Sequence, residues 1–360
     1  MNNTHPNINF WRGKRVLITG HTGFKGSWLA IWLHRLGAKL IGISLQPGGN
    51  PNLFDLAKVH QLCSSHICDI RDYQKLSRLI KKAKPEIVFH MAAQPLVRQS
   101  YRLPLETFNT NLMGTAHVLD ALRGIEGVLS VVMITTDKVY RNNEWNWAYR
   151  EDDILGGHDP YSASKAASEL IISSYRDSFL NEQGIPVASA RAGNVIGGGD
   201  WSTDRLIPDA VRAWQSGEPL RIRSPNAIRP WQHVLEPLAG YLALAAAMAE
   251  GKKLNKKEIC SSFNFGPDTN SAATVRETIT LAQTKYGSGV VHFEDNNGGP
   301  YEAGILTLDV AKARALLGIG PRWSLAETVR RTMEWYRDHY HGADAYALCE
   351  AEIDDYEAVL

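Results

Sequence analysis

The chain has few cysteines, and they show no pairing pattern. Its 360 residues include 4 cysteines, none of which forms a Cys-x-x-Cys motif with another. Scattered cysteines are typical of free thiols in a reducing compartment, whereas a disulfide framework uses them in closer sets. The histidines also lack the His-Glu-x-x-His spacing of a zinc site. We therefore expect no disulfide and no bound metal.

The sequence also lacks a surplus of charge and a long hydrophobic run. It has 39 basic and 38 acidic residues, so no overall field attracts nucleic acid or an anionic membrane. The longest apolar stretch, near 239–249, is too short to cross a bilayer, and the first residues have no apolar core of signal-peptide type. We expect a cytoplasmic protein that binds neither nucleic acid nor a membrane.

Short apolar runs alternate with helical patterns along the first half of the chain. The runs lie at 15–19, 39–45, 66–70, 86–93, 129–136 and 187–193. Strands as apolar as these are typical of a parallel sheet that is covered on both faces. With right-handed crossovers, the pattern predicts an α/β fold with a Rossmann-type doubly wound parallel sheet and a smaller α/β substrate-binding lobe.

The pattern becomes irregular after Arg191 and rich in glycine, proline and tryptophan. The apolar helix from Pro237 and the strand-like FNFG segment at 263–266 are expected to return to the first domain. We therefore predict a discontinuous division, with 1–191 and 230–266 in the dinucleotide-binding domain. Residues 192–229 and 267–360 would form the substrate-binding domain, and the acidic tail from Gly342 shows no informative motif.

A glycine loop follows the first predicted strand and opens a helix. It reads GHTGFKG and contains Gly20, Gly23 and Gly26. This context is that of a dinucleotide-binding fingerprint, in which the glycines permit a tight turn, backbone approach to a pyrophosphate and close helix packing. Thr22, Phe24 and Lys25 belong to the same candidate cofactor loop. Lys25 either adds charge toward phosphate or is a solvated lysine on the first helical turn.

The second strand departs from this fingerprint. It ends in ISLQPGG, without the Asp or Glu that holds the adenosine ribose diol, and without an arginine for a 2′-phosphate. The residues themselves thus leave NAD and NADP open.

Two pairs of residues predict chemistry. Tyr161 and Lys165 lie four positions apart and share one helix face, where the lysine charge favours the phenolate. Asp137 and Lys138 end another strand and offer an acid and a second basic group. The first pair predicts a base that removes a hydroxyl proton during an oxidation, and the second predicts a further proton-transfer step. A simple C4 isomerase or a non-catalytic dinucleotide-binding regulator would not require both pairs.

These motifs, in this order, resemble the extended short-chain dehydrogenase/reductase family, and within it the nucleotide-sugar 4,6-dehydratases that act on CDP-glucose. The resemblance spans nearly the whole chain, including HMAAQP from His90, NLMGT from Asn111, RAGNV from Arg191 and RPWQHV from Arg229. It implies NAD as the cofactor, CDP-glucose as the substrate and a homodimer or higher homo-oligomer, paired through helices near 104–123 and 161–180.

The resemblance also implies roles for single residues. Asp69 and Ile70 match an adenine contact, although an Asp that ends a strand is also a common helix cap. Ala92, Ala93 and Gln94 match the cofactor site, and Asn111 matches an asparagine that orients the active-site lysine. Thr136 is expected to bind the C4 oxygen of the sugar.

For the sugar nucleotide, the resemblance implies that Arg229 and Asn194 bind the diphosphate side. Arg205 is either a further substrate contact or a solvated charge. The relatives carry an arginine where this chain reads GGPYEAG, so Tyr301 or Glu302 is the candidate replacement.

The implied reaction is oxidation at C4, loss of water across C5 and C6, and return of the hydride to C6. By position, Asp137 is the acid at C6. Lys138 is either the base at C5, which requires a neutral amine, or a charged group that stabilises the developing enolate oxygen.

Overall fold

The structure is a computed structural model that describes residues 6–251, 255–294 and 304–359. The strands, in chain order, are β1 (Arg15–Thr19), β2 (Lys39–Ser44), β3 (Cys63–Ile67), β4 (Ile87–His90), β5 (Ser130–Ile134), β6 (Val187–Ala192), β7 (Val195–Ile196), β8 (Leu220–Ile222), β9 (Ile228–Arg229), β10 (Gln232–His233), β11 (Ser262–Phe265), β12 (Ala273–Thr274) and β13 (Val291–Phe293).

The helices, in chain order, are α1 (Ile8–Trp11), α2 (Phe24–Arg35), α3 (Leu53–Leu56), α4 (Tyr73–Ala83), α5 (Val97–Arg102), α6 (Pro104–Phe108), α7 (Gly114–Leu122), α8 (Pro160–Tyr175), α9 (Leu206–Gln215), α10 (Leu235–Glu250), α11 (Lys256–Ile259), α12 (Val275–Tyr286), α13 (Ala311–Leu317), α14 (Leu325–Tyr340) and α15 (Ala345–Ala358). A π-helical turn, Asn109–Met113, lies between α6 and α7, and a second, Arg176–Leu180, follows α8.

A parallel sheet forms the centre of the molecule. Within the described ranges it has seven strands in the order β11-β6-β5-β4-β1-β2-β3. Every residue of β4, β5 and β6 is buried, as expected for strands covered on both faces. The predicted doubly wound fold is confirmed, including the return of the FNFG segment, which pairs with β6 as β11.

Helices cover both faces of this sheet with apolar side chains. One face packs against α2, α10 and α14, and contributes the larger apolar core. The other packs against α4, α7 and α8 through residues such as Ile80, Leu119 and Ile172. Strand order reverses between β1 and β4. In doubly wound sheets the ligand lies at the carboxyl ends of strands on either side of such a reversal.

The position predicted for the third strand was wrong. The apolar residues at 66–70 predict the third strand there. In the structure, β3 begins at Cys63, which pairs with Leu40 of β2. As the edge strand, β3 is only partly buried and includes Ser64 and Ser65. Because an edge strand needs fewer apolar residues, the start of β3 cannot be located from the apolar pattern of the sequence.

The acidic tail forms a packed helix. In α15, Cys349, Ile353 and Tyr356 are buried. Glu357 accepts a hydrogen bond from Trp32 Nε1 on α2 at 2.7 Å, and Asp354 accepts one from Arg35. The tail therefore contacts the helix that follows the glycine loop.

Short strand pairs form the remaining sheet structure. These pairs are β7 with β10, β8 with β13, and β9 with β12, and they bring the irregular segment after β6 alongside the later part of the chain. The two-domain division stays a prediction. No helix in the described part of the chain is long and apolar enough to span a membrane.

Candidate active site

The site lies at the reversal of strand order. Thr19, at the end of β1, is hydrogen-bonded to His90 Nδ1 at the end of β4 across 2.7 Å. His90 Nε2 is hydrogen-bonded to Thr115 Oγ1 at 3.1 Å. Burial lowers the pKa of His90 to about 3, so the ring is neutral. His90 thus joins two strand ends.

The glycine loop fits a dinucleotide. Gly20 has φ +81° and Gly26 packs so closely that a Cβ there would lie 2.1 Å from Gly20 O. Gly23 is different because it is exposed, and a Cβ there would meet only Gly20 O, at 3.5 Å. It is also the N-cap of α2 and supplies no side-chain cap. Open space in front of uncapped helix amides is what a pyrophosphate requires.

Lys25 lies toward the active site. Its ammonium lies 5.8 Å from the centroid of the Tyr241 ring. Burial, and then the charges of Arg205 and Lys165, lower the pKa of Lys25 to about 7, while Asp137 opposes that shift. The solvated alternative for Lys25 is therefore wrong, since its side chain is partly buried among charged site residues.

Hydroxyl groups lie where the expected acidic residue is missing. Thr22 Oγ1 is hydrogen-bonded to Ser44 Oγ at 2.7 Å and donates to Leu45 O at 3.0 Å, which ties the glycine loop to the end of β2. His21 Nε2 is hydrogen-bonded to Ser65 Oγ on β3 at 2.7 Å. This end of the sheet offers neutral polar groups to a ligand.

Asp69 does not cap a helix. Asp72 is the N-cap of α4 and accepts from Lys75 N, so the cap interpretation of Asp69 was wrong. The Asp69 carboxylate instead pairs with Arg71 at 2.6 Å, and this hydrogen bonding lowers the pKa of Asp69. Ile70 is buried. An adenine contact for both residues stays a prediction.

The loop after β4 is fixed by Asn111. Gln94 N donates to Asn111 Oδ1 at 2.8 Å, and Asn111 Nδ2 donates to Gln94 O at 3.1 Å and Ser164 Oγ at 2.9 Å. Gln94 is buried, and Ala92 and Ala93 are partly buried beside the glycine loop. Asn111 therefore connects the loop after β4 to α8 directly.

Tyr161 lies on the first turn of α8. Asp159 caps this helix by accepting from Ser162 N at 2.9 Å and Ser162 Oγ at 2.5 Å, and Pro160 occupies the first turn. Burial raises the pKa of Tyr161 to about 12, whereas a hydrogen bond with Thr136 lowers it. The helix N-terminus adds positive potential that favours the phenolate.

Lys165 is buried one turn later. Its Nζ donates to Ile134 O at the end of β5 at 3.0 Å. Burial lowers the pKa of Lys165 to about 8, and the Glu169 carboxylate opposes this shift. Near neutral pH the ammonium is still charged and can favour a Tyr161 phenolate.

Sequence reasoning missed the partners of Glu169. Arg191 Nε and Nη2 each donate to its carboxylate at 3.0 Å, and Thr135 donates at 2.5 Å. Burial is the largest single influence on the pKa of Glu169 and raises it. The Arg191 charge and the hydrogen bonds from Arg191, Thr135 and Ser189 together outweigh burial, so the net shift is downward. The four-residue spacing from Tyr161 to Lys165 continues to Glu169, and this was the available signal.

Asp137 is an almost fully buried carboxyl. Its Oδ1 accepts from Thr136 Oγ1 at 2.9 Å, while Oδ2 has no hydrogen-bond partner in the part of the chain that the structure describes. Oδ2 lies against Gly193, where an added Cβ would come within 2.0 Å of it. Gly193 is thus required to accommodate Asp137 beside Tyr161.

Lys138 has a different environment. It lies in the short helical turn Asp137–Val139 and is partly exposed. Its backbone N–H approaches Thr136 Oγ1 at 3.4 Å, and no residue of the described ranges makes a hydrogen bond or ion pair with its ammonium. The side chain can therefore turn toward a ligand.

The two arginines predicted to bind the sugar nucleotide have different surroundings. Arg205 lies near the catalytic cluster, because its charge affects both Tyr161 and Lys25, and it pairs with Asp200 at 3.0 Å. Arg229 is buried and donates to Ile228 O at 2.9 Å.

Asn194 has φ +36° in the turn after β6, and its carbonyl accepts from Gln232 N at 3.2 Å. Tyr301 and Glu302 lie outside the described residues.

Tyr241 is a further site residue that the sequence did not reveal. Its hydroxyl is buried and has no hydrogen-bond partner among the residues described. Burial raises its pKa, and the charge of Tyr161 contributes, so the two rings are neighbours. No set of three metal-ligating side chains occurs within 6–251, 255–294 and 304–359.

Comparison with known proteins agrees with this geometry. The family model for GDP-mannose 4,6 dehydratase matches residues 17–332. The CDP-glucose 4,6-dehydratase of Salmonella typhimurium is 48% identical, over 97% of each chain.

Two solved structures show the same fold. MoeE5 in complex with UDP-glucose and NAD has a TM-score of 0.73 at 25% identity, and covers 91% of this chain and 100% of that one. The dTDP-glucose 4,6-dehydratase of Bacillus anthracis in complex with NAD has a TM-score of 0.75 at 20% identity, over 91% and 97% of the chains. The chain belongs to the GDP-mannose 4,6-dehydratase family of extended short-chain dehydrogenases/reductases.

Proposed function

We propose that the chain is an NAD-dependent CDP-glucose 4,6-dehydratase, a hydro-lyase that forms CDP-4-keto-6-deoxyglucose and water. The observation that carries this proposal is a buried carboxyl, Asp137, joined through Thr136 to the Tyr161 base. The Salmonella relative at 48% identity supports the substrate. The four free cysteines support a cytoplasmic location.

NAD fits the glycine loop. Gly20, Gly23 and Gly26 would form its phosphate-binding turn, and the amides at the start of α2 would hold the pyrophosphate. Bound NAD supplies the redox chemistry, by accepting hydride from sugar C4 and returning it to C6. The complexes of MoeE5 and of the Bacillus anthracis enzyme with NAD support the choice of NAD over NADP. Thr22, Asp69 and Ile70 contribute to the adenosine side.

Tyr161 is the base of the first step. It removes the proton from the C4 hydroxyl as hydride leaves C4. Lys165 and the N-terminus of α8 stabilise the phenolate against a burial that raises the pKa of Tyr161 to about 12. Thr136 donates to the same C4 oxygen.

Asp137 and Lys138 perform the elimination. The C4 ketone acidifies the C5 hydrogen, which Lys138 removes. Asp137 donates its proton to the C6 hydroxyl, which leaves as water. Asp137 is buried, and its Oδ2 has no hydrogen-bond partner among the described residues, so this oxygen is open to the C6 hydroxyl.

Arg205, Asn194 and Arg229 bind the sugar nucleotide. Arg205 is close enough to the catalytic residues to influence the pKa of Lys25, so we assign it to the phosphate next to the sugar. The planar donor fork of an arginine suits a diphosphate.

The chain forms a homodimer through α6, α7 and α8. Exposed apolar side chains occur on α6, on α8 and on the π-helical turn that leads into α7, with 83% of Leu105, 63% of Leu170 and 45% of Met113 accessible. A cluster of this kind is typical of an interface.

Replacing both Leu105 and Leu170 by Glu should give monomers in sedimentation velocity. Val290→Glu, at a residue that is 53% exposed elsewhere, is the matched control. A wild-type monomer would contradict this assignment.

The function is tested with CDP-, dTDP-, UDP- and GDP-glucose. We expect CDP-glucose to give the highest kcat/KM and a keto sugar that absorbs in alkali. A preference for another nucleotide contradicts the substrate, and a C4 epimer formed without loss of water contradicts the reaction. Asp137→Asn should still reduce the bound cofactor but stall before elimination, which near-ultraviolet absorbance would show.

A further inference from the structure

The Asp137 carboxyl must meet the C6 hydroxyl in one fixed orientation, and the inference that follows rests on this acid role in the proposed function. Thr136 Oγ1 donates to Asp137 Oδ1 at 2.9 Å, whereas Oδ2 has no hydrogen-bond partner within the described ranges. A second contact comes from the backbone of Gly193, where an added Cβ would lie 2.0 Å from Oδ2. The position of Gly193 therefore limits where Oδ2 can lie.

The sheet ladder stops just before this turn. Strand β6 ends at Ala192, which pairs with Phe265 at the end of β11. Gly193 follows outside that ladder, and Asn194 then has φ +36°, a conformation that residues with a side chain rarely adopt. Such a conformation persists only where the surrounding groups hold it. The turn that contacts Asp137 therefore needs support from outside β6.

Gln232 contacts both residues of this turn. Its side-chain amide donates to Gly193 O at 3.1 Å and to Phe265 O at 3.0 Å, which uses both donor hydrogens of the amide. Its backbone N–H donates to Asn194 O at 3.2 Å, and Gln232 pairs with Val195 between β10 and β7. Because Gln232 is only 3% exposed, loss of its amide would leave two carbonyl groups without these donors.

We propose that Gln232 is a positioning residue for the acid, which holds Gly193 and thereby fixes Asp137 at the C6 end of the sugar. Gln232 acts through Gly193 and transfers no proton itself. Its effect should be confined to the elimination, because Asp137 donates its proton in that step and takes no part in oxidation at C4. The Tyr161 base lies on a separate element, α8, which has its own N-cap in Asp159.

The test measures oxidation and elimination separately in one turnover at saturating CDP-glucose. Gln232→Met keeps an unbranched side chain of similar size and removes both donors. We expect elimination, followed as keto-deoxy sugar by chemical quench, to slow by about 10- to 100-fold, since a small displacement of a catalytic group has effects of this size. C4 oxidation should stay close to the wild-type rate, so bound reduced cofactor should accumulate. Equal slowing of both steps, or of neither, would overturn the proposal.

Ile80→Ala separates positioning from a general loss of stability. Ile80 is buried on α4, in the apolar core on the opposite face of the sheet from Phe265. Its truncation leaves a cavity and destabilises the fold without touching the turn after β6. We expect Ile80→Ala to keep the wild-type ratio of elimination to oxidation. If that ratio falls as far as in Gln232→Met, Gln232 supports only the fold.

A double variant tests whether the effect passes through the acid. Adding Gln232→Met to Asp137→Asn should slow elimination no further, because the group that Gln232 positions has already been disabled. Slowing that multiplies in the double variant would refute the path through Asp137.

A second substitution covers the case in which Gln232→Met does not fold. Gln232→Glu keeps the shape and presents an acceptor to the two carbonyl groups when it is ionised. It should also lower the ratio of elimination to oxidation, and a wild-type ratio would contradict the proposal. Absence of keto sugar in the wild-type protein would instead refute the proposed dehydratase.

Discussion

Two lysines of the site, Lys165 and Lys138, have opposite environments. Lys165 is 4% exposed, and its ammonium is held by Ile134 O and by the charge of Glu169. Lys138 is partly exposed, and its ammonium has no bonded partner among the described residues. A buried cation with fixed partners suits a group that stabilises a neighbouring phenolate, whereas a partly exposed amine without a bonded partner suits one that transfers a proton to or from a ligand. The difference shows how tertiary contacts divide one residue type between two tasks.

Loss of Lys165 should give the largest effect on activity. In Lys165→Met the cation one helical turn after Tyr161 is lost, so we expect C4 oxidation to slow by about 10³- to 10⁴-fold. Single-turnover absorbance of the reduced cofactor measures this step. Cofactor reduction at the wild-type rate would show that Lys165 does not support the base.

Glu169→Gln should give the next largest effect, which is a loss of folding stability. The change leaves the Arg191 guanidinium buried without its carboxylate, so we expect a loss of about 3–5 kcal/mol in the free energy of unfolding. Urea denaturation measures it. Glu327→Gln removes a more exposed partner of Arg330 and is expected to lose less than about 1 kcal/mol. Equal losses would mean that burial of the Glu169 pair has no special weight.

Lys138→Met should slow overall turnover by about 10²-fold while cofactor reduction persists. Exchange of the C5 hydrogen with deuterated solvent should disappear, because the base is absent. Lys138→Arg separates the two alternatives for this residue, since a guanidinium keeps its charge but cannot accept a proton. If Lys138→Arg retains C5 exchange, Lys138 is an electrostatic stabiliser.

The smallest effect is a pH dependence. The pKa of Lys165 is lowered to about 8, so its charge is present below that pH and is lost above it. We expect the rate of C4 oxidation to fall above about pH 8, by up to about tenfold per unit. Lys165→Arg should be slower at all pH values but lack this break. A break that persists in Lys165→Arg would assign it to another group.

Stability should change with pH in the opposite sense. The folded pKa of Lys165 lies below the ordinary lysine value of 10.5, so the unfolded chain binds more protons between about pH 8 and 10.5. The cost of burying this charge is full below pH 8 and disappears as pH rises through that window. Lys165→Met should remove this contribution from the pH dependence of the unfolding free energy, as measured by urea denaturation.

Sequence by itself determined the elements whose signal is local. Apolar runs located six strands of the sheet and failed only in the position of β3, which is a half-exposed edge strand. The glycine loop was recognisable because Gly20 and Gly26 serve a turn and a close contact within one strand-loop-helix unit. The four-residue spacing of Tyr161 and Lys165 placed them on one helix face.

Tertiary structure alone decided how distant residues meet. The pairing of Glu169 with Arg191, the place of Gly193 against Asp137, and the contact of α15 with α2 join segments far apart in the chain. No local pattern encodes such contacts, because they depend on strand order and on which side chains the fold removes from water. Burial also separates Lys165 from Lys138, since desolvation, which the residue type does not specify, lowers the pKa of Lys165, whereas the Lys138 side chain is partly exposed.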